Sequence, residues 1–163
     1  MEKHQDVTKI GLKMDYNFEV GKPFMGINFH DTVLDIVNKL GEPERIERYN
    51  SDNEEYSLLY KYDNETFTIV LEYEYNKLDR IAFYTSCLQI GGHNLFCLGK
   101  QEILQVIKSV SKIFVKDALD EAYEECGFVY EIYSFKDVGL MLWFKDDHLD
   151  DVCIYSPEVL EVK

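Results

Sequence analysis

Residues 66–75 alternate strictly. Phe67, Ile69, Leu71, Tyr73 and Tyr75 share one face, and Thr66, Thr68, Val70, Glu72 and Glu74 share the other. A period of two predicts a strand with one buried face and one wet, acidic face. Tyr56 to Tyr62 and Leu78 to Thr85 extend the pattern on either side. Asp63-Asn64 and Asn76-Lys77 supply the turns between them, since Asn and Asp tolerate left-handed backbone. Three antiparallel strands are predicted, with a short one before them over Glu44 to Asn50. Upstream, Val33, Leu34, Ile36, Val37 and Leu40 recur at helical spacing, with His30 or Asp31 as the cap and Gly41 and Pro43 as the stop. Residues 7–20 alternate loosely and predict an N-terminal strand, which turns at Gly21-Lys22-Pro23.

The second half follows a similar plan. Gly91-Gly92 marks a junction, and a helix begins near Lys100 and runs through Ile103, Leu104, Val106, Ile107 and Val110. Phe128 to Phe135, Gly139 to Lys145 and Leu149 to Tyr155 read as strands, closed by Pro157. In the middle one Leu140, Leu142 and Phe144 point inward, leaving Met141, Trp143 and Lys145 outward. Residues 116–125 carry two readings. Their composition (Ala118, Leu119, Glu121, Ala122, Glu124, Glu125) favours a helix ending at Gly127, whereas comparison of the halves predicts a strand. The helix is the expectation adopted.

That comparison rests on self-similarity at a shift of 71 residues. Lys77-Leu78-Asp79-Arg80-Ile81-Ala82-Phe83-Tyr84 aligns with His148-Leu149-Asp150-Asp151-Val152-Cys153-Ile154-Tyr155, and Ile69-Val70-Leu71 falls on Leu140-Met141-Leu142. At a shift of 70, Val33-Leu34-Asp35-Ile36-Val37 falls on Ile103-Leu104-Gln105-Val106-Ile107. So long a period implies two copies of a small unit sharing one core, not a solenoid. The predicted fold is α+β: a single domain over 1–163 made of two tandem helix-plus-antiparallel-meander repeats, roughly 15–86 and 87–157. The repeats form one curved sheet with helices on one side.

Composition supports a packed core, with 46% apolar residues, 12 Tyr and 10 Phe among 163 residues. Thirty-one acidic residues stand against 17 basic, a net charge of −14 that divides evenly at −7 before and after residue 86. The charge therefore belongs to the whole folded surface and not to a tail. Such a field repels nucleic acid and anionic lipid and speeds encounter with a basic partner, although acidity also serves solubility alone. No run approaches the roughly 18 apolar residues of a membrane span, and the polar start Met-Glu-Lys-His-Gln-Asp precedes no signal core. A cytoplasmic location follows as the expectation, with Cys87, Cys97, Cys126 and Cys153 reduced and buried.

Chemistry is sparse. His4, His30, His93 and His148 show no metal-ligand spacing, so no metal or other cofactor is expected. His148 beside Asp147, Asp150 and Asp151 reads as a turn. There is no phosphate-binding glycine loop and no nucleophile elbow. Cys97, four residues after His93 and near a helix start, is the best nucleophile candidate, although its alternation with Phe96 and Leu98 reads as a buried strand cysteine. A small enzyme or ligand-binding domain with a helix–sheet pocket near His93 and Cys97 is the alternative to a chain without catalysis, and a small-molecule partner is not expected.

Gly26-Ile27-Asn28-Phe29-His30-Asp31-Thr32-Val33, followed by Leu40-Gly41-Glu42-Pro43, resembles a pattern of small bacterial toxin-immunity proteins of the contact-dependent or polymorphic-toxin type. The tandem helix-plus-meander plan is similar to β-lactamase inhibitory protein, whose two repeats present a sheet face to their target. The second half departs from the motif, with Leu98-Gly99-Lys100 at the entry and no Leu-Gly-x-Pro after its helix. The resemblance implies a non-enzymatic protein that neutralises a cognate, basic, nuclease-like toxin in the cytosol.

The face opposite the helices is then the expected binding surface. Alternation and the 71-residue register place Glu72, Glu74 and Tyr84 there with Trp143 and Tyr155, ringed by Asp79, Asp146, Asp147, Asp150 and Asp151. In the rival arrangement Trp143 is buried beneath residues 116–125 and the acids merely solvate turns.

Overall fold

The computed structural model describes residues 17–50, 55–62, 67–74, 77–83 and 87–157. Ten strands and three α-helices occupy them. Helix α1 (Val33–Leu40) precedes strands β1 (Arg45–Asn50), β2 (Glu55–Tyr62), β3 (Phe67–Glu74) and β4 (Lys77–Phe83). A small ribbon of β5 (Gln89–Ile90) and β6 (His93–Asn94) and a 3₁₀ turn (Leu95–Cys97) lead to α2 (Lys100–Lys108) and the one-turn α3 (Val115–Ala118). Strands β7 (Leu119–Glu125), β8 (Phe128–Phe135), β9 (Leu140–Lys145) and β10 (His148–Tyr155) follow.

The large sheet has the order β1-β2-β3-β4-β10-β9-β8-β7, entirely antiparallel. Two four-stranded meanders thus join through their last strands. At the join Ala82 faces Cys153, Ile81 faces Ile154, and Phe83 faces Val152. Both meanders also carry a bulge at the same place. Tyr73 pairs with Leu78 and Glu72 with Arg80, so Asp79 is the extra residue; Phe144 pairs with Leu149 and Trp143 with Asp151, so Asp150 is extra. The recurrent Leu-Asp of the sequence is this bulge. It shifts the alternation by one, so that Leu78 and Ile81 both reach the core, as do Leu149 and Val152.

One apolar cluster lies on one face of the sheet. Leu58, Leu71, Ile81, Phe135, Leu140, Leu142, Phe144 and Val152 meet Ile36 of α1 and Ile103, Leu104 and Ile107 of α2 there. Each such side chain contributes about 1.5–3 kcal/mol by leaving water. Strand β9 shows the predicted split: Leu140, Leu142 and Phe144 are buried, and Met141, Trp143 and Lys145 are half-buried.

Helix α1 starts one residue later than expected. Thr32 is the cap: its hydroxyl accepts from Asp35 N (3.2 Å), and the Asp35 carboxylate accepts from Thr32 N (3.0 Å). Asp31 instead accepts from Asn28 N (3.0 Å) and from Lys39 Nζ (2.6 Å). Gly41 ends the helix at φ 86, as its position predicts. Thr32→Ala is expected to lower stability by about 1 kcal/mol, which thermal melting should register as a fall of roughly 2–4 °C.

Residues 116–125 are not the expected helix. After the single turn of α3 they form β7, stacked on β8 through Tyr123 and Tyr130 (5.0 Å between rings). Left-handed backbone at Cys126 (φ 50) and Gly127 (φ 82) closes the hairpin. Cross-strand pairing outweighs helix propensities of a few tenths of a kcal/mol per residue. The expected N-terminal strand over 7–20 lies largely outside the described residues; within them, Asn17 makes a parallel bridge to Gln89. The turns expected at Asp63-Asn64 and at Asn76 fall outside them too.

Candidate functional site

The sheet face turned away from the cluster has no described helix packed over it. Following the pairing inward from β3, it carries Glu72, Arg80, Tyr155, Cys153, Asp151, Met141, Trp143 and Lys145, then Tyr130 and Tyr123. Ala82 and Cys153, small and buried, form the floor at the join of the meanders.

Equivalent positions differ in chemistry between the two meanders. In the first, Glu72 faces Arg80 across the bulge and accepts its Nε at 2.6 Å. In the second, Trp143 faces Asp151 at the same place. Among the described residues Asp151 makes no ion pair; its Oδ1 accepts from Val152 N (2.8 Å). Burial pushes the Asp151 carboxyl up to about 6, reinforced by Asp150 and Glu72, while the Val152 N–H and Arg80 pull it down. Burial likewise pushes the Cys153 thiol up to about 12, which leaves it a poor nucleophile at neutral pH.

A carboxyl whose pKa is higher folded than unfolded favours folding while protonated. The stability difference is absent below the unfolded value near 3.8, grows as pH rises to 6, and is fully present as a cost above that. Asp151→Asn, which retains the acceptor for Val152 N, should stabilise the protein at pH 7.5. The expected gain is roughly 1 kcal/mol after discounting a half-exposed group for solvent screening. Calorimetric melting should show a gain of roughly 2–4 °C at pH 7.5 and none near pH 3.5. An equal gain at both values would mean the carboxylate is not the cause.

The structure sorts the expected surface residues. Glu72, Asp151, Trp143 and Tyr155 share the open face, each half-buried. Glu74 and Asp79, both exposed, lie at the strand ends around a depression of about 290 Å³ lined also by Tyr49, Glu55, Tyr56 and Arg80. Asp150 is the exposed bulge residue. Tyr84 lies outside the described residues. Asp146 and Asp147 do not join the face. They form the β9–β10 turn with left-handed backbone (φ 48 and 66), where Asp146 Oδ1 accepts from Val129 N (2.8 Å) and Asp147 lies 3.5 Å from Lys100 Nζ on α2. Lys100 also pairs with Glu131 and lies over the ring of buried Tyr133, which puts Asp147 on the helix side. The rival burial of Trp143 beneath 116–125 does not occur, because β8 separates β7 from β9.

Lys145 lies on this face as the alternation of β9 predicts, whereas Arg80, Tyr123 and Tyr130 join it without such a signal. Lys145 Nζ lies 4.0 Å from the centre of the Phe128 ring, and Tyr123 stacks on Tyr130 at the sheet edge.

The alternative site is not assembled. Cys97 is an exposed residue of the 3₁₀ turn, not a buried strand cysteine, and its Sγ accepts from Asn94 Nδ2 (3.3 Å). His93 and Glu102 line an open depression of about 410 Å³ that Cys97 does not reach, and the Glu102 carboxylate accepts from Gly99 N (3.1 Å). A short 3₁₀ turn carries no periodicity to distinguish it from a strand. Of the four cysteines only Cys153 is buried; Cys126 is exposed and Cys87 half-buried, against the expectation for all four. Among the described residues no group of three His, Cys, Asp or Glu side chains converges as metal ligands, and no helix is long and apolar enough to cross a membrane.

The molecule is thus an α+β protein, and among the described residues no helix covers the second face of its sheet. No protein-family model and no curated protein sequence matches the chain. Similar solved structures include a cysteine-rich secretory protein from Staphylococcus aureus, with TM-score 0.50 and 10% identity over 86% of this chain and 46% of that one. A DUF4309 family protein from Bacillus subtilis gives 0.42 and 19% over 77% and 78%. An extracellular protein containing a SCP domain from Bacillus anthracis gives 0.44 and 15% over 84% and 49%. The chain spans about half the length of the staphylococcal and anthrax proteins. At 10% identity the staphylococcal likeness concerns the fold alone.

Proposed function

We propose that the chain is a non-enzymatic immunity protein, built from two copies of one helix-plus-meander unit, that neutralises a basic bacterial toxin in the cytosol by binding it through the open sheet face. The observation that carries this reading is the juxtaposition, on a face that no described helix covers, of Trp143 with an Asp151 that makes no ion pair among the described residues, and of the Glu72–Arg80 pair across the join. An aromatic side chain beside a carboxylate without a cation suits a lysine or arginine from another protein: the ring offers its face and the carboxylate its charge. The net charge of −14 steers a basic partner toward this surface. The repeat is supported by the matched bulges at Asp79 and Asp150 and by the reciprocal pairing around Ala82 and Cys153, each pair lying 71 residues apart. Such reciprocity is what two like units related by a two-fold axis produce.

The test uses the toxin domain encoded by the gene adjoining this one. Calorimetric titration should give a one-to-one complex with Kd below about 1 μM at low salt, and co-expression should protect cells from that toxin. A toxin domain that neither binds nor is neutralised overturns the proposal.

A further inference from the structure

We infer that β7 receives an extended, lysine- or arginine-bearing segment of a protein partner as an added strand. The inference rests on the reading of this chain as a captor of basic proteins, and adds the edge to the face.

Strand β7 ends the sheet and pairs with β8 alone. All seven of its residues are exposed, and among the described residues no backbone hydrogen bond joins Leu119–Glu125 to any segment other than β8. The outward amide and carbonyl groups of an antiparallel edge are thus free to template another strand. Proteins commonly blunt such edges with proline, extreme shortness or a central bulge. Here there is no proline, and the single irregularity falls near the start, between Leu119 and Glu121.

Two further observations distinguish an edge made for a partner from one made merely to repel. Of nine large hydrophobic residues exposed among the described residues, five gather here: Phe114, Leu119, Tyr123, Phe128 and Val129, on β7, its hairpin partner or the turn leading into it. Protection alone would not concentrate apolar surface beside the edge. The charge then selects the occupant. Asp120, Glu121, Glu124 and Glu125 are acidic and β7 has no basic residue, so pairing with a second copy would oppose like charges. The other edge, β1, is balanced internally, with Arg45 on Glu47 (3.1 Å) and Arg48 over Tyr56 (5.4 Å). Tyr123 stacks on Tyr130, which faces Lys145 of β9, so the edge is continuous with the open face.

The probe is a labelled ten-residue peptide alternating lysine with valine and threonine, read by fluorescence anisotropy at low salt and by amide exchange. Binding should slow exchange across 119–125. It should weaken at least tenfold when alternate peptide amides are N-methylated, and equally in Glu121→Lys/Glu124→Lys/Glu125→Lys. Ile46→Ala, at an exposed position on the opposite edge strand β1, should leave it within twofold. Equal binding of the N-methylated peptide, or protection elsewhere, overturns the inference, because attraction to a diffuse acidic surface needs no edge amides. So does a wild-type dimer in sedimentation that the triple lysine variant abolishes, which would make a second copy the occupant. A peptide that fails to bind while the toxin domain still binds and depends on Trp143 removes the edge and leaves the proposed function standing. Failure of both removes both.

Discussion

Gly139→Ala is expected to be the most damaging conservative change in this protein. Gly139 opens β9 at φ 73, a left-handed conformation that costs a β-carbon roughly 1 kcal/mol. A larger cost comes from space. A β-carbon there would lie 2.2 Å from the carbonyl oxygen of Tyr155 and 3.2 Å from Pro157 N, both backbone atoms. That oxygen cannot rotate away, because the strand end is held by the Tyr155 N–H donating to Gly139 O (2.9 Å) and by Gly139 N donating to Phe135 O (2.9 Å). The ends of β9 and β10 would have to separate, at an expense of about 3–4 kcal/mol in all. Melting should fall by roughly 10 °C. Gly127→Ala is the control. It shares the left-handed backbone (φ 82) but has nothing within 4 Å of the added carbon, so it should cost only about 1 kcal/mol. Equal losses in the two variants would show that conformation, and not the close approach to Tyr155, dominates at Gly139.

The bulges show where reading the sequence works and where it stops. Alternation in β9 foretold the burial of Leu140, Leu142 and Phe144, because nothing interrupts the period. In β10 strict alternation from Val152 would put Leu149 on the open face. The bulge at Asp150 returns Leu149 to the core and sets Asp151 opposite Trp143. The recurrent Leu-Asp was visible, but its meaning needs the partner strand's register. The pairing of Glu72 with Arg80 was hidden for the same reason. The cap of α1 is legible in the sequence, since Thr32-Val33-Leu34-Asp35 carries both halves of a capping box. In β7 composition and structure part ways. Alanine, leucine and glutamate favour helix locally, yet the residues sit where β8 offers an unpaired edge, and the ladder decides. Asp146 and Asp147 were misplaced because a turn's left-handed backbone directs its side chains independently of the strands it joins.

Under the proposed function, toxin binding should divide between two kinds of variant on the open face. Trp143→Ala removes a half-buried ring with no described helix above it, so the loss falls on contact area. It should weaken the toxin complex by roughly 30- to 100-fold, about 2–3 kcal/mol, almost entirely through faster dissociation. Glu72→Lys with Glu74→Lys changes the field instead. Neither residue belongs to the core, and the substitution also sets a lysine against Arg80, which at present donates to Glu72. Association should slow by about tenfold at low salt and little at high salt, with dissociation nearly unchanged. Under the same proposal, Asp151→Asn should separate stability from recognition: melting rises at pH 7.5 while binding weakens, because the carboxylate that is costly to the free protein would pair with the partner's cation. Stopped-flow kinetics on the three variants, with folding checked by circular dichroism, resolves these effects. Wild-type rates in folded Trp143→Ala and in the double lysine variant would move the interface off this face, and an Asp151→Asn variant that binds as tightly as wild type would remove the carboxylate from recognition.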